Sequence, residues 1–419
     1  MKKFNMIVKE ETLDNGLHVI LVKKPGYYRS LFMLAVDAGG FDIEQSYHNL
    51  HLHHRSGCAH FLEHQMFRLH GQDITDQFAQ MQASTNAFTT YNKTAYYFQT
   101  TADIEAPLHL LFDFVEELDI DTQSVNKEKG IILSEYDMYQ QQPEQRLFKE
   151  TWKSLYVEHP LRYDVLGTPE DIAHMRVEDL KTFYHYNYDP SKLTLVGITG
   201  QDIDKIMDII KENQIRHPSS LNGKVKRVIH DEPTTCARSD FSCTMDISTP
   251  FVCIGYKQKP ETDIHLAIQK DQCIQMALDA AMTSLNPCYQ SWLDEEIMTN
   301  INGAECDIHI DHSAVLFYAQ THYPQAYIKL VEKMSKQLVQ GIDPTIFQAI
   351  KARALAQMIR GFDSFEDLAV DLLEAHISGY DHWQQYEMIS KLSVEQINTY
   401  LKTLDLDHPT VTTIQPKNM

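Results

Sequence analysis

The chain has 419 residues, which is too long for one ordinary hydrophobic core and predicts two or more domains of about 150–200 residues. Its apolar fraction of 43% is typical of a globular protein, and no run approaches the roughly 18–20 apolar residues of a transmembrane helix. The net charge is −21 without a basic arm, which argues against nucleic acid as a partner.

The N-terminus and the cysteines indicate a cytoplasmic location. Residues 1–10 lack a continuous apolar core followed by small residues, so no signal peptide is predicted. Seven cysteines, an odd number, are scattered without a Cys-x-x-Cys pair. This pattern favours reduced thiols over a disulfide framework or a thiolate zinc site.

Strands and helices follow one another in runs along the first half of the chain. Strands are predicted at 17–22, 30–37 and 193–199, with a further pair between 87 and 100 that turns at 91–93. Helices are predicted at 60–69, 74–82, 106–118, 126–142, 144–156 and 202–213, with two short helices between 171 and 186.

The order of elements then restarts. Strands are predicted at 251–256 and 314–321, and helices at 264–285, 324–338, 344–360 and 365–378. Runs of strands and helices indicate an α+β fold, and two halves of similar order suggest a duplicated domain. We therefore expect an N-terminal zinc-binding catalytic domain at 1–216, a polar linker at 217–228 and a homologous C-terminal domain at 229–419. Each should be a mainly antiparallel sheet covered by helices.

One short run, residues 59–64, has the spacing of a metal site on a helix. His60 and His64 are four residues apart, so they share a helical face, and Glu63 projects beside them. This is the H-x-x-E-H arrangement, the H-E-x-x-H pattern of zinc peptidases in reverse order. In a chain with 21 histidines such a run can also arise by chance.

A hydrolytic zinc site takes three protein ligands and keeps one position open for water. Glu135 is the expected third ligand, and Glu128, two helical turns earlier, is expected to orient a histidine. Glu63 would then be the general base that takes a proton from water and passes it to the leaving amine.

Several motifs occur together in an order that resembles the M16 metallopeptidases, the family of insulinase, pitrilysin and the mitochondrial processing peptidase. They are Leu13-Asp14-Asn15-Gly16-Leu17, His60 to His64, Asn86-Ala87-Phe88-Thr89, Glu128 to Glu135, His159-Pro160, and Leu166 to Ile172. The resemblance is dense over residues 10–200. The length is similar to that of the half-length, two-domain subfamily of bacterial type.

The resemblance implies specific roles. In that family the two histidines and the glutamate at Glu135 bind zinc, and the glutamate at Glu63 is the base. The segment Asn86, Ala87, Phe88 and Thr89 matches the edge strand on which an extended peptide adds as a further strand. Backbone pairing of this kind makes little demand on substrate sequence. Short peptides would be cleaved inside a chamber formed by a dimer.

The C-terminal half departs from the family pattern. M16 enzymes place an arginine and, seven residues later, a tyrosine opposite the zinc, and here these positions fall on Asp294 and Ile301. A carboxylate cannot stabilise an oxyanion. We therefore expect the chain to be the catalytic subunit of a heterodimer, with a second M16-like subunit that supplies the arginine and tyrosine.

Two questions of function stay open at this stage: whether the chain is catalytic, and which peptides it would cleave. The chain could be a non-catalytic M16-like binding or scaffold subunit, although the complete set of His60, Glu63, His64 and Glu135 argues against that function. The nearby histidines 48, 51, 53 and 54 fit no compact ligand set and are expected in a polar loop. The sequence does not distinguish general peptide turnover from maturation of a dedicated precursor.

Overall fold

The computed structural model describes residues 4–417, which form sixteen strands and fifteen α-helices. In chain order the strands are β1 (Ile7–Thr12), β2 (His18–Lys23), β3 (Ser30–Val36), β4 (Glu44–Tyr47), β5 (Leu50–His53), β6 (Arg68–Leu69), β7 (Gln72–Asp73), β8 (Ala83–Thr89), β9 (Thr94–Thr100), β10 (Leu193–Thr199), β11 (Lys226–Arg227), β12 (Asp240–Met245), β13 (Phe251–Lys257), β14 (Asn302–Ile308), β15 (Ser313–Gln320) and β16 (Thr410–Pro416).

The helices, also in chain order, are α1 (Cys58–Met66), α2 (Ile74–Gln80), α3 (Glu105–Glu116), α4 (Thr122–Gln140), α5 (Pro143–Leu155), α6 (Pro169–His174), α7 (Val177–Asn187), α8 (Ile203–Gln214), α9 (Ile264–Met282), α10 (Tyr289–Asp294), α11 (Pro324–Leu338), α12 (Pro344–Gly361), α13 (Phe365–Ser378), α14 (His382–Lys391) and α15 (Val394–Leu401). None of the helices in the described part of the chain is long and apolar enough to cross a membrane.

The chain divides into two compact units, and neither is continuous in sequence. The first unit contains the chain up to residue 136, residues 163–228 and residues 362–377. The second contains residues 137–162, residues 229–361 and the chain from residue 378 onward. The division at 228/229 coincides with the end of the expected linker. The sequence did not predict that residues 137–162 belong to the second unit and residues 362–377 to the first.

The first unit is built on a six-stranded sheet in the order β1-β2-β10-β3-β9-β8. Only β2 and β10 run parallel, and the other neighbours are antiparallel. Every residue of the central strands β3 and β10 is buried, as expected for nearly continuous apolar strands that are covered on both faces. Buried side chains of α1, α3 and α8 pack on this sheet in one core.

The second unit repeats this arrangement with five strands in the order β12-β16-β13-β15-β14. Here β12 and β16 are the parallel pair, and the remaining neighbours are antiparallel. Its core joins the sheet to α9, α11 and α15. The α+β fold with two similar sheet-and-helix domains is confirmed.

Segments 137–162 and 362–377 belong to a different unit from the residues around them. Helix α5 packs on β13 and β16, with the Phe148 and Tyr318 rings 4.9 Å apart. Helix α13 joins the first unit, where Glu374 accepts hydrogen bonds from Asn92 and Lys93. Helical periodicity predicts both helices, but it cannot indicate which sheet each helix covers.

Two further expectations differ from the structure. The polar stretch upstream of α1 forms the β4–β5 hairpin, because Glu44 to Tyr47 pair with Leu50 to His53. The prediction of a loop there was wrong. Residues of the expected linker lie on the first unit, where Ser219 and Ser220 donate hydrogen bonds to Asp189.

Candidate metal centre

Helix α1 brings three ionisable groups together in a little more than one turn. Phe61 and Leu62 are buried in the core of the first unit, at 1% and 0% exposure. Because residues three and four apart share a face of a helix, this anchoring directs His60, Glu63 and His64 away from the sheet core together.

The start of α1 is fixed by a glycine. Gly57 has a φ of 83°, and a Cβ atom at this position would lie 2.2 Å from the carbonyl oxygen of Leu166. Both the left-handed backbone and the close approach of a neighbouring chain segment therefore require glycine. This contact sets the position of the first turn of α1.

Helix α4 carries the two glutamates. Val125 and Ile132 are buried and lie seven residues apart, so they form one stripe along the helix. Glu128 and Glu135 follow each of them by three residues and form the neighbouring stripe. Burial of the apolar stripe therefore orients both carboxylates toward the same side.

The imidazoles of α1 and the carboxylate of Glu135 converge on one point. Glu135 Oε2 lies 3.3 Å from His64 Nε2 and 3.8 Å from His60 Nε2. Ligand atoms about 2.1 Å from a tetrahedral zinc ion are separated by about 3.4 Å. The three groups are therefore spaced as ligands of one ion, and two imidazoles with a carboxylate are a zinc donor set.

The outer nitrogen of each histidine has a different environment. His64 Nδ1 lies 2.9 Å from Glu128 Oε1, and such a contact fixes the ring so that Nε2 can act as a ligand. His60 Nδ1 is buried and has no hydrogen-bond partner in the described chain. Glu128 therefore contacts the histidine nitrogen that faces away from the candidate ligand atoms, which is the position of an orienting carboxylate.

Protonation of the two histidines is linked to their neighbours. Burial opposes a charge on His64, but hydrogen bonds to Glu128 and Glu135 outweigh burial and raise its pKa to about 9. Burial and the charge of His64 lower the pKa of His60 to about 4. One positive charge between the carboxylates is therefore favoured, and a divalent cation can replace that proton.

Glu63 is held apart from the three ligand candidates. Its Oε2 accepts a hydrogen bond of 2.5 Å from the hydroxyl of Thr89. Burial raises the pKa of the Glu63 carboxyl group, and the Thr89 bond opposes that shift. A carboxylate whose pKa lies above its usual value is a stronger base near neutral pH.

Strand β8 contains the segment Asn86 to Thr89 and is the last strand of its sheet. Its inner side pairs with β9, where Asn86 lies opposite Tyr97. The backbone N–H of Ala87 donates a local hydrogen bond of 2.9 Å to Asn86 Oδ1. An unpaired strand edge of this kind can accept an added strand.

The C-terminal positions Asp294 and Ile301 lie in the second unit. Asp294 ends α10 and accepts a hydrogen bond of 2.8 Å from Gln290 Nε2. Ile301 precedes β14, and its side chain is 39% exposed. No arginine occurs between residues 286 and 313, so no guanidinium group is available in this part of the chain.

Two further groups of donor side chains could not be predicted from the sequence, because their members come from distant parts of the chain. They are Glu10 with His18 and His376, and His159 with Asp311 and His312. In the first group the two imidazoles are stacked 3.7 Å apart and nearly parallel, so their in-plane lone pairs do not converge. In the second, His159 Nδ1 accepts a hydrogen bond from Leu161, which leaves the proton of a neutral ring on Nε2. Both groups fit an ion less well than His60, His64 and Glu135.

Comparison with known proteins agrees with this fold. A family profile described as insulinase (peptidase family M16) matches residues 19–169. A second profile, described as the peptidase M16 inactive domain, matches residues 174–354. The two profiles together span most of the chain. The chain belongs to peptidase family M16.

Two of the similar proteins match over nearly their full length, and one matches over about half. An uncharacterised zinc protease of Bacillus subtilis, YmfH, is 25% identical over 97% of this chain and 96% of its own length. The β subunit of the mitochondrial processing peptidase of Dictyostelium discoideum is 24% identical, over 57% of this chain and 49% of that subunit. The solved structure of an M16-like peptidase of Alicyclobacillus acidocaldarius has a TM-score of 0.94 and 27% identity, covering 98% of this chain and 99% of that protein.

Proposed function

We propose that this protein is a zinc-dependent endopeptidase that hydrolyses short extended peptides. The observation that carries the proposal is the convergence of His60, His64 and Glu135, with the carboxylate of Glu63 buried beside them. Nothing in the packing of α1 and α4 requires four ionisable groups to meet there. Burying them is costly unless they bind a cation or take part in catalysis.

The chain's own residues have separate tasks in this mechanism. His60, His64 and Glu135 would hold the zinc, and Glu128 fixes the ring of His64 through Nδ1. Zinc held there would supply a lowered pKa for water and polarisation of the peptide carbonyl group. Glu63 takes a proton from the attacking water and transfers it to the nitrogen of the leaving amine.

Strand β8 is the proposed binding edge for the substrate. A peptide that adds beside Asn86, Ala87 and Phe88 would pair through its backbone, with little demand on its sequence. The Ala87 N–H would then exchange its local bond to Asn86 Oδ1 for a bond to the peptide. A substrate of this kind must be unfolded over several residues.

The chain is proposed to act as one subunit of a heterodimer that encloses the peptide. Asp294 and Ile301 stand where the resemblance implies an arginine and a tyrosine, and a carboxylate cannot stabilise an oxyanion. A second M16-like chain with both residues would complete the site. One relative, the β subunit of a mitochondrial processing peptidase, is itself named as a subunit. The seven cysteines are all free thiols, which supports a reducing compartment such as the cytoplasm.

The competing function is a non-catalytic M16-like binding or scaffold subunit. The description of the second matching profile as an inactive domain makes this alternative worth testing. The two functions differ in metal content. The peptidase should contain about one zinc per chain, whereas a scaffold subunit has no need of metal.

The test is to purify the chain alone and with an M16-like partner from the same cell, captured with the Glu63→Gln variant. Zinc is measured by mass spectrometry, and hydrolysis is measured with a library of quenched fluorescent peptides. We expect about one zinc per chain and hydrolysis that rises strongly when the partner is added. The Glu63→Gln variant should keep its zinc and lose about 10²–10⁴-fold in kcat. Full activity of the isolated chain would contradict the heterodimer, and a chain without zinc would contradict the peptidase.

A further inference from the structure

Thr89 forms a hydrogen bond between the proposed peptide-binding strand and the proposed general base. Its hydroxyl donates a hydrogen bond of 2.5 Å to Glu63 Oε2, between the last residue of β8 and helix α1. We propose that Thr89 is a positioning residue for Glu63, which it holds in the orientation needed for proton transfer. This inference rests on the proposed peptidase function.

The position of the Thr89 hydroxyl is itself well fixed. Thr89 lies opposite Thr94 in the β8–β9 pair, and the turn between them is closed by a bond of 2.8 Å from Thr90 N–H to the Lys93 carbonyl. Branching at Cβ also restricts the side-chain torsion of threonine. The donor therefore presents a fixed direction to Glu63.

A fixed donor matters because a glutamate side chain has three torsions and two equivalent oxygens. With Oε2 bonded to Thr89, the other oxygen, Oε1, is left to accept the proton from water. Without that bond the carboxylate could turn toward the histidines or away from the site. Proton transfer requires heavy atoms within about 2.6–3.2 Å, so misorientation lowers kcat.

Thr85 provides a matched control on the same strand. It lies four residues before Thr89, on the same face of β8, because strand side chains alternate. Its hydroxyl donates to the Tyr97 carbonyl at 2.9 Å, within the sheet, and it lies outside the Asn86–Thr89 segment. Thr85→Val therefore removes a strand hydroxyl bond that does not involve Glu63.

The experiment compares Thr89→Val, Thr89→Ser and Thr85→Val with wild type, each loaded with zinc and assayed with the partner chain. Valine keeps the shape and strand preference of threonine, whereas serine keeps the hydroxyl. We expect Thr89→Val to lose about 10- to 100-fold in kcat with KM changed less than twofold. Thr89→Ser should recover most of kcat, and Thr85→Val should remain within about twofold of wild type. Zinc content and Tm should stay the same in all four proteins.

A wild-type kcat in Thr89→Val, or an equal loss in Thr85→Val, would overturn the inference. Crystal structures of zinc-loaded wild type and Thr89→Val give a readout that does not depend on activity. We expect one orientation of the Glu63 carboxylate in wild type and a different or mixed orientation in the variant. The same orientation in both would also overturn the positioning role. A wild type inactive with every peptide would instead contradict the proposed function, while the two structures still test Thr89.

Discussion

The five strands of the second sheet follow the order of β2-β10-β3-β9-β8 in the first, but the edge strands β14 and β8 contact different side chains. In the second unit α9 covers the edge strand β14: Gln275 bonds to the Ala304 carbonyl and the Cys306 N–H, and Asp271 accepts from the Ile308 N–H. In the first unit α1 instead directs Glu63 to the hydroxyl at the end of β8. Helix α9 thus bonds to backbone groups of its edge strand, whereas α1 presents an ionisable side chain to the end of its edge strand.

The strongest test of this comparison disrupts the proposed zinc site of the first unit. His64→Ala deletes one of three ligands, so we expect zinc to fall from about one to near zero per chain and hydrolysis to fall at least about a thousandfold. Gln275→Ala in the second unit should leave the zinc content unchanged. Zinc that persists in His64→Ala would contradict this division of roles between the two units.

The starts of the two helices offer a second test. Helix α1 begins at Gly57 with a φ of 83°, whereas α9 begins at Asp263, whose side chain accepts from the Leu266 N–H. We expect Gly57→Ala to lower the free energy of unfolding by about 2 kcal/mol or more, through left-handed strain and the contact with Leu166. Asp263→Ala should cost about 1 kcal/mol. Urea denaturation measures both, and equal losses would contradict the special role of Gly57.

Removal of the bonds from Gln275 to β14 should lower the free energy of unfolding less than strain at Gly57 does, but more than an ordinary surface substitution does. Gln275→Leu leaves the Cys306 N–H and the Ala304 carbonyl without these partners, so we expect a loss of about 1–3 kcal/mol in urea denaturation. Asn86→Ala in the first unit removes the bond from the Ala87 N–H and the side-chain hydrogen bond with Tyr97, both at an exposed edge, and should lower the free energy of unfolding by less than about 0.5 kcal/mol. A larger loss for Asn86→Ala would reverse this order.

A further expected effect is a pH dependence in the second unit. Burial raises the pKa of Asp271 to about 7, although bonds from Ile308 and Cys306 oppose the shift. The folded state therefore holds a proton that the unfolded chain releases near pH 4, and stability falls as pH rises from about 4 to 7. We expect Asp271→Asn to reduce the loss of stability between pH 5 and pH 8. An unchanged pH dependence in urea denaturation would contradict this contribution.

The sequence predicted those features that depend on spacing along one element. Seven-residue spacing put Glu128 and Glu135 on one face of α4, and four-residue spacing did the same for His60 and His64. These rules need no knowledge of tertiary structure. The α+β fold followed equally well from the order of strands and helices.

Contacts between distant elements could not be predicted in this way. The bond from Thr89 to Glu63 spans 26 residues and depends on how β8 lies against α1. Strands β4 and β5 have four residues each and few buried side chains, so they gave no periodic signal. The bonds from Gln275 and Asp271 to β14 were not predicted either, because they also join residues that are distant in sequence.

The discontinuity of the first unit has a consequence for synthesis. Its last element is α13. The ribosome adds about 150 residues between the end of the rest of that unit, at residue 228, and the end of this helix. At about 5–20 residues per second, roughly 10–30 s pass before this helix leaves the ribosome. During that interval the buried cation Lys93 lacks its partner Glu374. The nascent first unit is therefore incomplete while most of the second is being made.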